Sequence, residues 1–81
     1  MSEPAVVVLV LHAHLGRYAG GAARLALPYE PGLSIGEYAR RAGIPPHEFY
    51  AVVRRGALSK DLDAVPTPGE VVELLPAMSG G

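Results

Sequence analysis

Only one stretch of this chain carries the marks of a helix. Ser34 stands where an N-cap belongs, and Glu37 three residues later completes a capping box, in which each side chain can satisfy the other residue's free backbone N–H. Ile35, Tyr38, Ala39 and Ala42 fall on one apolar stripe. Arg40 and Arg41 sit where the helix dipole favours cations. Gly43 is placed as a C′ glycine, and Pro45-Pro46 bars continuation. The pattern predicts a helix over Ile35 to Ala42. Every other patterned segment reads as strand, and a lone helix must bury its stripe on one face of a sheet. The expected class is α+β: a mixed sheet of four or five strands with one main helix packed on one face.

The strands follow from composition and breakers. Ala5 to Leu15 is rich in β-branched residues (Val6, Val7, Val8, Val10), and the run Ala5 to Leu11 is apolar on both faces. That is the pattern of a central strand covered on both sides. Gly16 to Gly21 reads as a turn, leading to a hairpin partner over Ala22 to Tyr29 in which Leu25 and Leu27 face opposite to Arg24 and Ala26. Pro31-Gly32 breaks the chain before the helix, and Pro45 to Glu48 is a connector after it. Phe49 to Arg54 is a third strand ended by Gly56, Leu58 to Leu62 a brief fourth, and Val65 to Gly69 a turn. Glu70 to Leu75 is the last strand, stopped by Pro76. Residues 1–76 are therefore expected to form one domain, and 77–81 a flexible C-terminal tail ending Gly-Gly.

Bulk properties narrow what such a domain can do. Eighty-one residues supply one core but no room for an enclosed catalytic cavity beside it. Net charge is −1, so no strong field recruits nucleic acid or an anionic membrane. The apolar run is too short to span a bilayer, and it follows Ser2-Glu3-Pro4 rather than a basic segment, so a cytoplasmic protein is expected. There is no cysteine, which removes disulfides, thiolate metal sites and a thiol nucleophile. His12 and His14 lie two apart on one strand face, where they could share a metal. No third ligand is evident, and the reading adopted is of polar residues at a strand end with no metal. No pairing of nucleophile and base stands out, so catalysis by this chain alone is not expected.

The tail has two readings, a frayed end of small residues and a presented carboxylate. Two glycines after the last strand add no packing and cost entropy. They can, however, thread a narrow groove and bring a terminal carboxylate without a hindering side chain to a reactive phosphate. Five residues from Ala77 extend about 16–18 Å. A carboxylate must be activated before it reacts with nucleophiles, and the chain has no phosphate-binding loop: Gly16 to Gly21 is not followed by the lysine a Walker-type loop needs. Activation therefore has to come from a partner that binds ATP, with no cofactor bound by this chain.

The segment Gly69 to Gly81, with its Gly-Glu turn, apolar strand, Pro76 and Gly80-Gly81, resembles the end of prokaryotic sulfur carriers of the ubiquitin-like, β-grasp type. These include the small subunit of molybdopterin synthase and the thiamine-pathway carrier. The resemblance implies a β-grasp fold and a cycle: an enzyme of the ubiquitin-activating type adenylates Gly81, a sulfur donor converts it to a thiocarboxylate, and the sulfur passes to an acceptor such as the large subunit of molybdopterin synthase. Gly80 and Ser79 would thread the partner's channel; Met78, Leu75 and Val71 would dock the partners on the helix-free face. Length and the Pro76 to Gly81 stretch lean toward the molybdopterin branch, where the transferase activity exists only with the partner subunit. A carrier for thiamine or tRNA thiolation, a protein modifier using the same activated tail, and a non-catalytic β-grasp interaction module are the alternatives. Two departures stand out: Arg54-Arg55-Gly56 replaces the usual Asn-Gly turn, and Pro68-Gly69 precedes Glu70 where Asp-Gly is common.

Overall fold

The computed structural model describes residues 5–77. Along the chain run β1 (Val6–Leu11), a 3-10 helix (Ala13–Ala19), β2 (Arg24–Pro28), α1 (Ile35–Arg41), a 3-10 turn (Pro46–Glu48), β3 (Phe49–Arg54), β4 (Ala57–Ser59) and β5 (Val71–Pro76). The five strands form one sheet in the order β2-β1-β5-β3-β4. β1 and β5 pair in parallel at its centre, and the other pairings are antiparallel. This is the expected β-grasp: a mixed five-stranded sheet with one main helix.

Helix α1 is held at both ends. Ser34 Oγ accepts from the Glu37 N–H at 3.2 Å. The reciprocal half of the capping box is replaced, since the Glu37 carboxylate accepts from Arg40 Nη1 at 2.7 Å instead. Two further helix N–H groups, of Ile35 and Gly36, donate to the carbonyls of Ala64 and Leu62. At the other end Gly43 N–H reaches Arg40 O and Ile44 N–H reaches Ala39 O, both at 3.0 Å, with Gly43 at φ +82°. That is a Schellman motif, with the buried Ile44 as its apolar contact.

The core lies between helix and sheet. Val7, Leu9 and Leu11 of β1, Val72 and Leu74 of β5, and Val52 of β3 meet Ile35, Tyr38 and Ala39 of α1. The alternate residues Val6, Val8 and Val10 are only half-buried. The expectation that β1 is covered on both sides is thus corrected. β1 is interior within the sheet, flanked by β2 and β5, and its helix-free face is only half-buried.

β1 also ends earlier than expected. At Leu11 the chain winds into the 3-10 helix, which turns Leu15 into the core at 0% exposure. The Gly16–Gly21 turn is the end of this element. Gly16 approaches the backbone so closely that a Cβ there would lie 2.8 Å from the Ala22 carbonyl oxygen. His12 and His14 consequently do not share a strand face. At the opposite edge, β4 stops at Ser59 because the chain leaves the sheet to place Leu62 and Ala64 over the helix start. The β3–β4 turn keeps the backbone an Asn-Gly pair would adopt: Arg55 (φ +51°) and Gly56 (φ +79°) both lie in the left-handed region, as a type I′ turn requires.

Candidate functional site

β5 is the central strand, flanked by β1 and β3. Its pairing with β3 continues past Phe49–Pro76: the Ala77 N–H donates to the Glu48 carbonyl at 2.8 Å. The polypeptide therefore leaves the sheet from a point fixed by a backbone bond. Of the residues predicted to act, Met78, Ser79, Gly80 and Gly81 lie outside the described residues. Measured from Ala77, four further residues reach at most about 14 Å.

Glu48 is the hub of this strand end. Its carboxylate accepts from the Tyr18 hydroxyl at 2.8 Å and lies 3.0 Å from His14 Nε2; His47 Nε2 stands 3.6 Å away. The Tyr18 hydroxyl bond, helped by His14, holds the Glu48 carboxyl below its usual range against a smaller opposing effect of burial. The same bond pushes the Tyr18 hydroxyl up. One residue thus ties the 3-10 helix after β1 to the start of β3 by its side chain, and to the end of β5 by its carbonyl. Elsewhere, His12 Nε2 lies 2.8 Å from Glu73 Oε1. The two histidines thus pair with carboxylates on different elements, His12 with β5 and His14 with the 3-10 turn before β3. Among the described residues no group of three or more His, Cys, Asp or Glu side chains could hold a metal.

Glu48, Tyr18 and Glu73 had no part in the sequence-based site. Glu48 lies 30 positions from Tyr18 and 34 from His14, and only strand pairing reveals the contact.

The predicted docking residues separate. Val71, Glu73 and Leu75 share the helix-free face of β5 with Val8 and Val10 of β1, Val53 of β3 and Leu58 of β4. Leu75 lies near the exit at Ala77. Val71, 41% exposed, begins the strand about 13 Å away. It lines a shallow groove of about 420 Å³ with Val53, Arg55, Thr67 and Glu73. The Glu73–His12 pair lies between Val71 and Leu75 on this face, and of the two only Leu75 belongs to the tail end.

Behind that groove lies the one buried charged side chain among the described residues. Glu70 accepts from Arg54 Nε at 2.6 Å, Arg54 Nη2 at 3.0 Å and the Thr67 N–H at 2.9 Å. The Arg54 guanidinium holds its carboxyl down at about 2, against the opposing effect of burial. This pair closes the turn into β5 and sits at the end of the strand opposite Ala77. It braces the scaffold rather than the site.

No family model and no curated protein matches the chain. Its structure is similar to the crystal structure of SAMP1 from Haloferax volcanii, with a TM-score of 0.65 and 22% sequence identity over 94% of this chain and 99% of that one. At that identity the likeness shows the fold. Among the described residues no helix is long and apolar enough to cross a membrane.

Proposed function

We propose that this β-grasp domain is a sulfur carrier whose working group is the carboxylate of Gly81. The observation that supports the reading is the Ala77–Glu48 bond, which fixes the point from which the chain continues beyond the last strand, close to Leu75 on the helix-free face. A partner enzyme binds ATP, the Gly81 carboxylate attacks the α-phosphate, and pyrophosphate leaves. Hydrosulfide attacks the acyl carbon; AMP departs with the bonding pair, and a proton is released. The product is a thiocarboxylate. The chain's own residues hold the exit and supply docking surface, while the phosphate chemistry belongs to the partner. The preferred acceptor is the large subunit of molybdopterin synthase, on the resemblance of Gly69 to Gly81 to that branch.

Intact mass tests the proposal. After incubation with ATP, a ubiquitin-activating-type enzyme and sulfide, the protein gains about sixteen mass units, the difference between sulfur and oxygen. No gain, under conditions where an established carrier gains it, removes the reading.

The docking surface is tested separately. Leu75→Asp replaces an apolar side chain beside the exit with a charge and raises the KM of adenylation tenfold or more, the scale of an interface hot spot. Val71→Asp, about 13 Å further along the strand, has a smaller effect. Equal effects would assign the docking surface to the whole sheet face.

A further inference from the structure

The outer edge of β2 has no strand partner among the described residues. The hydrogen bonds that flank the strand show which of its backbone groups are free. Leu11 N–H donates to Ala23 O and Tyr29 N–H donates to Ala5 O, so odd-numbered positions turn their backbone toward β1. By the period of two, Arg24, Ala26 and Pro28 present theirs outward. Natural edges are blunted by charge, proline or a bulge. Here Arg24 and Pro28 stand only at the two ends, and Ala26 at the centre is exposed and small.

We infer that β2 is a self-association edge, with a second copy of this chain as its partner. Two β2 strands laid antiparallel about a twofold axis at Ala26 are self-complementary. Each Ala26 N–H donates to the other Ala26 carbonyl, and each Arg24 N–H donates to the other Pro28 carbonyl. The N–H that proline lacks falls at the edge of the contact. The helix-side residues Leu25 and Leu27 meet their counterparts as Leu–Leu cross-strand pairs, which bury apolar surface that each copy leaves half-exposed. The two arginines stand about 13 Å apart, beyond the screening length near physiological salt. Shifting the centre to Leu25 keeps as many bonds but brings Arg24 to within about 7 Å of its copy. Shifting it to Leu27 leaves only the bonds from Ala26 to Pro28. The arrangement joins two sheets edge to edge, with the two β5 strands ending at opposite sides. It is independent of the carrier reading, and it gives the assembly two outward-facing strand exits.

Such a contact is small, so association is weak and concentration-dependent. Sedimentation equilibrium of the full chain from about 20 μM to 2 mM is expected to show the average mass rising from 8.5 kDa toward twice that value. Ala26→Asp sets two carboxylates against each other on the axis and keeps the protein monomeric with an unchanged thermal midpoint. Ala26→Pro removes only the outward N–H and weakens association about tenfold, leaving the β1 ladder intact. Amide exchange at Arg24 and Ala26 slows with concentration in the parent protein. A mass constant at 8.5 kDa throughout, or a dimer that survives both variants, overturns the inference.

Discussion

Glu70→Gln lowers the unfolding free energy at neutral pH by about 3 kcal/mol, which for a domain of this size is a fall in thermal midpoint of about 12–24 °C. The Glu70 side chain is 2% exposed and accepts from Arg54 and Thr67 together. Glutamine keeps the shape but turns an N–H₂ group toward a guanidinium that only donates. The sign of the pH effect follows from the carboxyl's position in the two states. It titrates near 4.5 when unfolded and at about 2 when folded, so its contribution is complete above about pH 4.5 and is lost as pH falls toward 2. The parent protein loses midpoint temperature steeply across that window, and Glu70→Gln loses much less. Urea unfolding at pH 7 and pH 3 measures both effects. Equal stability of the two proteins at pH 7 would show that the pair merely offsets the cost of burying it, as paired charges sometimes do.

Deleting Gly80 and Gly81 has the opposite profile: stability is unchanged and carrier chemistry disappears. The glycines contribute no side-chain packing, so the midpoint should stay within about a degree. Without them the chain ends at Ser79, whose side chain stands beside the carboxylate and whose reach is shorter by about 7 Å. The mass gain with ATP, activating enzyme and sulfide should fall by at least a hundredfold, to background. Gly81→Ala separates the causes, since it restores length and adds only a methyl. An interaction module with an incidental Gly-Gly end predicts no effect from either change. A carrier and a protein modifier both predict loss, and conjugates on a denaturing gel distinguish the two.

These two changes probe opposite ends of β5. Glu70 lies where the strand begins and braces the turn that feeds it. Gly80 and Gly81 follow where it ends. The two sites lie at opposite ends of the strand and share no partner among the described residues, so additive effects are expected when the changes are combined.

How far the chain could be read without coordinates varied with the range of the forces involved. α1 was legible within one residue because a cap, a stripe and a C′ glycine are written within ten positions. β3 was legible at both ends, where a 3-10 turn and a type I′ turn bound it. The apolar run to Leu15 predicts a longer β1 than the one that forms, because such a run does not say where the chain stops pairing and starts packing. His12 and His14 lie past the last paired residue for the same reason, one beside β5 and one beside Glu48.

The order of residues alone was enough for the helix, the alternation of β2 and β5, the absence of thiol chemistry and the presence of Gly80-Gly81 beyond the last strand. Each depends on neighbours a few positions apart or on composition. It could not supply the hub at Glu48, the buried Arg54–Glu70 pair, the edge of β2 left unpaired among the described residues or the distance between Val71 and Leu75 along β5. Those depend on which strands lie side by side. Pairing is chosen by the burial of the whole core, with Val72 and Leu74 between β1 and β3, and no local signal records that choice.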